Sequence, residues 1–343
     1  MTNTDIQTDV AIIGAGPVGL FAIFECGMLK MKAHVVDALD EIGGQCQALY
    51  PEKPIYDIAG FPEISGEDLI KNLEVQAEPF GPVFHLGQQV EKLDGDAKAG
   101  FRLQTSKGTV IKAKAIIIAA GVGAFGPNRP PLDGIEDYEG QGAGEGINYL
   151  VKRRSDFKGK AVVIAGGGDS AVDWALSLEA VAKRVSIVHR RPKFRAAPES
   201  AARLAGLADD GKIDIVTPYQ LSALEGSGGK LGAVVVSDLD GNKKTIPADV
   251  LLPFFGLKQE LGPIADWSLG LEHFHIKVDP ASMESERAGI FGIGDVVNYP
   301  GKLKLILTGF AEAARAAHSA HAVVHPGEAL HFEYSTSKGV PGS

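Results

Sequence analysis

Cysteine is nearly absent: the chain of 343 residues has two, Cys26 and Cys46. Two thiols cannot make a disulfide framework, and a reducing, cytoplasmic setting is the expectation. No apolar run approaches the roughly 18 residues of a membrane span. The stretch from Met1 to Asp5 has no basic segment leading into an apolar one, so no secretory signal is expected. Positive charge is in deficit as well. Against 43 Asp and Glu stand 34 Lys and Arg, a net charge of −9, which argues against nucleic acid or an anionic membrane as partner. There is no H-E-x-x-H, no Ser-His-Asp pattern and no P-loop. His318, His321 and His325 read as the polar face of a helix, so no metal site is expected.

Glycine, with 43 residues, is abundant, and some of it is ordered. Asp9-Val10-Ala11-Ile12-Ile13 runs into Gly14-Ala15-Gly16-Pro17-Val18-Gly19, and Ala161-Val162-Val163-Ile164-Ala165 runs into Gly166-Gly167-Gly168-Asp169-Ser170-Ala171. Each is an apolar strand entering a G-x-G-x-x-G/A turn that opens a helix. The first Gly makes the tight turn, the second admits a pyrophosphate, and the third small residue lets helix and strand pack closely. Helix N-terminal amides then face the phosphate charge.

The two copies differ at one shared offset, the end of the next strand. After Gly14 it holds Asp37, a carboxylate suited to a ribose diol. After Gly166 it holds His189, followed by Arg190 and Arg191, which suit a 2′-phosphate; Arg195 is a third candidate phosphate ligand. The first copy is therefore expected to hold FAD and the second NADPH. The alternative for Arg190 and Arg191 is a solvated basic turn.

The fold class that follows is α/β, with two Rossmann-like three-layer ββα dinucleotide-binding domains. The NADPH domain, residues 123–257, is inserted into a discontinuous FAD domain, 1–122 and 258–343, whose extension begins near residue 327. Period-2 patterning predicts strands at Val83 to His85, Gln89 to Leu93, Phe101 to Thr105 and Thr109 to Ala113, and an apolar strand from Ala115. Helices are expected from Gly66 to about Glu78 and from Gly309 to about Val324, the latter after a strand ending in Gly294-Asp295.

Together with Gly43-Gly44-Gln45, the segment His189 to Ala196 and Gly292-Ile293-Gly294-Asp295, these elements resemble the low-molecular-weight thioredoxin reductases, a family of flavoproteins with two dinucleotide sites. The resemblance implies Asp37 on the FAD ribose, Gln45 beside the isoalloxazine and Asp295 along the ribityl–pyrophosphate. It breaks where those enzymes carry Cys-x-x-Cys: Glu145 to Arg154 contains no cysteine, and reduction of a disulfide needs a thiolate pair. Cys46 stands near the first redox cysteine of lipoamide-dehydrogenase-type enzymes, but their second position is here Pro51, so Cys46 and Cys26 read as packing residues.

A nearer resemblance is to the thioredoxin-reductase-like ferredoxin–NADP⁺ reductases of bacteria. It rests on Gly43 to Asp57, Gly121-Val122-Gly123-Ala124-Phe125, Leu307-Thr308-Gly309-Phe310 and the extension His331 to Ser337. This resemblance implies that Tyr50 stacks on one flavin face and that Tyr334, from the partner subunit of a homodimer, covers the other. Val90, Phe125 and Thr336 complete the FAD site, and no side chain is a catalytic group, because flavin N5 carries the chemistry. The implied reaction exchanges hydride with NADP(H) and single electrons with ferredoxin or flavodoxin. Any iron–sulfur cluster belongs to that partner, since four thiolates are needed. Lys152, Arg153, Arg154, Lys158 and Lys160 could form a docking patch or be solvated charges. Two other readings stay open: a diaphorase or quinone or flavin reductase with a small-molecule acceptor, and a non-catalytic redox sensor. The Phe-x-Gly-x-x-x-His pattern of flavin monooxygenases is missing.

Overall fold

The computed structural model describes residues 5–330 and 339–340, without the side chains of 124–125 and 257–259. The chain divides into two units, Met1–Phe125 with Gln259–Ser343, and Gly126–Lys258.

In the first unit, burial of the apolar run Val10–Ile13 makes Ile6–Ile13 a central strand, parallel to Ala33–Val36 on one side and to Val110–Ile118 on the other. Val83–His85 extends the seven-stranded sheet beyond Ala33–Val36. On its other edge Val110–Ile118 has two partners. Its first half pairs antiparallel with Gly100–Thr105, which pairs in turn with Val90–Asp96; its second half runs parallel to Ile290–Gly292.

Patterning predicts two strands there, one to Ala113 and another from Ala115, but the structure has one. Lys112 and Lys114 point outward to Asp5 and Asp9 at 2.8 and 3.0 Å, which preserves alternation that far. Ala115 to Ile118 are then all buried. Burial on both faces erased the period-2 signal without ending the strand.

Helices Pro17–Met28, Gly66–Ala77 and Ile306–Val324 belong to this unit. The second is capped by Ser65, whose hydroxyl accepts from the Asp68 amide at 3.1 Å. The third starts at Ile306, ahead of the expected Gly309. Gly309 lies inside the helix because Val18 leaves no room for a side chain: an added Cβ would stand 2.3 Å from Val18 Cγ2. That glycine marks a close approach of helices, not a helix start.

The second unit carries a five-stranded parallel sheet in the order Gly146–Ile147, Val250–Pro253, Ala161–Ala165, Arg184–Val188, Ile213–Val216. Helices Asp169–Leu178 and Pro198–Asp209 accompany it, with an antiparallel sheet of Gln220–Ser227, Lys230–Ser237 and Lys243–Pro247. The two sheets share one register at the turn. Ile13 lies opposite Val36, one residue before Gly14 and Asp37; Ala165 lies opposite Val188, one residue before Gly166 and His189. Among the described residues no helix is long and apolar enough to cross a membrane.

Candidate functional site

Each Gly-rich turn opens onto a cavity within its own unit. The first cavity, about 400 Å³, is walled by Gly14, Gly16, Asp37, Gln45, Tyr50 and Asp295, among others. Gly14 has φ +110, and a Cβ on it would meet the Ala119 carbonyl oxygen at 2.3 Å, so no other residue fits this turn. Gly19 is not on the wall. It packs beneath, where a Cβ would sit 2.0 Å from the Gly14 carbonyl oxygen.

Asp37 is pinned at the turn. Its Oδ2 accepts from the Ala15 amide at 2.6 Å and its Oδ1 from the Leu39 amide at 2.8 Å. Burial raises the pKa of this carboxyl above its ordinary value, against the pull of those two amides. Each oxygen keeps lone-pair capacity toward the cavity for a diol.

Gln45 and Cys46 lie on the short helix Gly44–Ala48, with Tyr50 just beyond it. The Cys46 thiol donates to the Tyr50 hydroxyl at 3.8 Å. Burial pushes the thiol up to about 11 and raises the Tyr50 hydroxyl too, so both stay protonated near neutrality. Asp295 sits on the corner after Ile290–Gly292, opened by Gly294 at φ +79. Leu305 and Ile306, at the N-terminus of helix Ile306–Val324, also reach the wall.

Not every expected residue reaches this wall. The Val90 side chain is buried in the core, and its neighbours Gln88 and Gln89 line the cavity instead. Nothing in the sequence marks those glutamines, although Gln88 is held by the hydroxyls of Thr105 and Thr109, both at 2.7 Å. Phe125 lies on a short strand, and its side chain is outside the described residues, as are Tyr334 and Thr336.

The second cavity, about 720 Å³, brings together Gly166, Gly168, His189, Arg190, Arg191 and Arg195. Ala171 is buried beneath the turn, its Cβ 2.9 Å from where a Cβ on Gly166 would be. Gly167 leaves room for the His189 imidazole, which a Cβ would strike at 2.2 Å. Arg195 is tied to the same turn, its amide donating to the Gly167 carbonyl at 2.6 Å. The His189 ring stacks on Phe194 at 5.5 Å, and its Nε2 is buried with no hydrogen-bond partner among the described residues. Burial and then the three neighbouring guanidinium groups hold the His189 pKa down, so the ring is neutral at neutral pH. Arg190, Arg191 and Arg195 are exposed, and none has an acidic partner among the described residues. Pro130, Pro131, Tyr219, Phe254 and Phe255 complete the wall; they come from distant segments that carry no motif.

Two sheets whose parallel strands share one register, each ending in a Gly-rich turn over a cavity, define a protein of the two-dinucleotide α/β class. The chain belongs to the pyridine nucleotide-disulphide oxidoreductase family, whose profile matches residues 8–321. It is 61% identical over 335 residues to the ferredoxin–NADP reductase of Paramagnetospirillum magneticum, covering 98% of each chain. With that of Rhodospirillum rubrum it shares 61% over 343 residues, covering 99% of this chain and 98% of the other. Thioredoxin reductase from Lactococcus lactis superposes with a TM-score of 0.77 at 26% identity, covering 92% of this chain and 99% of that one. The T. acidophilum thioredoxin reductase has the same fold, with a TM-score of 0.78 at 24% identity over 93% and 99% of the two chains. Despite the family's name, Cys26 and Cys46 are both free and buried here.

Proposed function

We propose that this protein is a ferredoxin–NADP⁺ oxidoreductase that holds FAD in the first cavity and NADP(H) in the second. The single observation that carries this reading is the contrast at one shared offset. A pinned carboxylate, Asp37, faces the first cavity, and three guanidinium groups without an acidic partner among the described residues face the second. Near-full-length similarity to relatives named ferredoxin–NADP reductase supports it further. On this reading residues 1–122 and 258–343 form the FAD domain and 123–257 the NADPH domain.

The residues of the first cavity fit FAD by their chemistry. Asp37 accepts from ribose hydroxyls, and the amides of the turn and of the N-terminus of helix Pro17–Met28 face the pyrophosphate. Asp295 lies along the ribityl segment, with Gln45 and Tyr50 at the isoalloxazine end. The Cys46 thiol donates weakly to the Tyr50 hydroxyl, packed beside it. Phe125 and, from the partner subunit of a homodimer, Tyr334 and Thr336 complete the site, while Val90, buried in the core, gives way at the wall to Gln88 and Gln89.

FAD, when bound, supplies the exchange between two-electron hydride chemistry and one-electron transfer. In the second cavity Arg190 and Arg191 grip the 2′-phosphate with Arg195 and the neutral His189 beside them. The electron acceptor is a ferredoxin or flavodoxin in the cytoplasm. The proposed basic docking patch is weakened by Lys160, which pairs with Glu145 at 3.5 Å.

The test is an absorbance spectrum of the purified protein, then anaerobic titration with NADPH and addition of ferredoxin. A flavin spectrum, bleached by NADPH and restored by ferredoxin, is expected. A colourless protein that cannot be reconstituted with FAD refutes the reading. Cytochrome c reduction at the same rate without ferredoxin would favour a small-molecule reductase instead.

A further inference from the structure

Glu312 lies within helix Ile306–Val324 with no exposed surface. A carboxylate so placed is costly unless its charge is matched and its oxygens are hydrogen-bonded. Both conditions hold. Oε2 accepts from the Gly294 amide at 2.7 Å, and Oε1 accepts from the Tyr299 hydroxyl at 2.6 Å and the Lys302 ammonium at 2.5 Å. The Lys302 side chain is itself 3% exposed.

Stability alone does not account for such a pair. Apolar side chains of similar volume commonly serve a core as well as a buried ion pair, or better. What an apolar residue cannot do is accept from the Gly294 amide. That amide opens the corner carrying Asp295 on the wall of the first cavity, and Glu312 grips it from behind. The same helix brings its N-terminus, at Ile306, to that wall. Val18, the second residue of helix Pro17–Met28, lies against both pieces: a Cβ on Gly294 would lie 3.7 Å from it and one on Gly309 2.3 Å.

We propose that Glu312 is a positioning residue for the dinucleotide of the first cavity. It sets the Gly294–Asp295 corner against the N-terminal turn of its own helix, while Lys302 neutralises the carboxylate and Tyr299 aims it. The inference rests on the reading of this cavity as the FAD site.

The test measures FAD affinity of the full-length holoprotein, from flavin fluorescence on release, beside the thermal midpoint. In Glu312→Asp the charge stays, but the arm is one methylene shorter and cannot hold Gly294 and Lys302 together. FAD should bind about tenfold or more weakly, as expected for a lost hydrogen bond to a charged group. The double variant Glu312→Gln with Lys302→Met removes both charges but keeps a carbonyl oxygen for the Gly294 amide. Its FAD affinity should stay within about threefold of the parent.

Unchanged FAD binding in Glu312→Asp overturns the proposal. So does a double variant as weak as Glu312→Asp, which would assign the effect to the ion pair rather than the anchor. FAD loss matched by an equal fall in the thermal midpoint of the flavin-free protein, marking a structural role only, overturns it too. Either variant decides alone if the other does not fold. A parent protein that takes no flavin would instead refute the cofactor reading itself.

Discussion

The sharpest consequence of the site geometry concerns which nicotinamide dinucleotide is chosen. Arg190 and Arg191 line the second cavity without an acidic partner among the described residues, so none of those residues already engages their charge. Two unit charges 4 Å apart attract by about 1 kcal/mol in bulk water and about 4 kcal/mol near a shielded protein surface. Both side chains are exposed, so the solvated figure applies. Replacing both by alanine should therefore cost about 2 kcal/mol against a 2′-phosphate, or about 30-fold in kcat/KM for NADPH. NADH has no phosphate there and should change little. The assay is flavin reduction by each nucleotide across a range of salt, and the NADPH penalty should shrink as ionic strength rises. Arg195→Ala should keep its turn contact, because that hydrogen bond comes from the backbone amide. Equal losses with both nucleotides, or no loss with NADPH, would refute the assignment of these guanidinium groups.

Other outcomes follow from the same geometry. Cys46→Ala should retain turnover within about threefold, and native protein at pH 8 should resist iodoacetamide, since burial pushes the thiols of Cys46 and Cys26 up to about 11 and about 12; a larger loss would mean that a thiol takes part. His34 Nδ1 and His85 Nε2 are 3.0 Å apart on neighbouring strands, and burial lowers both pKa values, with His85 adding to the effect on His34. The unfolded chain then binds more protons than the folded one between the lowered values and the ordinary value near 6.5. Stability should thus be full above that pH and fall below it. Urea midpoints at pH 7.5 and 5 should show this, with a smaller difference in His85→Gln; a flat profile in the parent would contradict it. Deleting residues from His331 onward, which removes Tyr334 and Thr336, should alter stopped-flow flavin reduction by NADPH, and superimposable traces would exclude a flavin-covering role for that segment.

What was legible in the sequence was whatever sterics restrict to few residue types. Gly14 has no substitute where φ is +110 and a carbonyl oxygen lies 2.3 Å from any Cβ, so the turn declares itself. Asp37 and His189 were found by counting, because the sheet register carries each to the mouth of its own turn. Features built from long-range packing left no such mark. The join of two expected strands into Val110–Ile118 is hidden by burial on both faces, and Gly309 looked like a helix boundary because its reason is Val18, far away in the chain. Glu312, in an alanine-rich helix, looks like an ordinary solvent-facing residue. Only the fold shows that Gly294, Tyr299 and Lys302 surround it.

The two units share a backbone plan and differ in the charge beside their Gly-rich turns, and on the proposed reading this divides the work between them. In both sheets the residue after the second strand stands beside the Gly-rich turn, so its position is fixed by pairing and only its side chain is free to vary. In the first unit the carboxylate is held by the amides of Ala15 and Leu39, which aims its remaining lone pairs at hydroxyl donors. The same negative charge repels a phosphate placed there. In the second unit the imidazole of His189 folds back over Gly167, and among the described residues no carboxylate pairs with the three arginines. A nucleotide with a free ribose diol is thus favoured on one side and a 2′-phosphate on the other, from a single register. On the proposed reading, exchange of the two ligands would leave a phosphate facing Asp37 and three guanidinium groups facing a bare diol, a double mismatch that would keep each dinucleotide in its own unit.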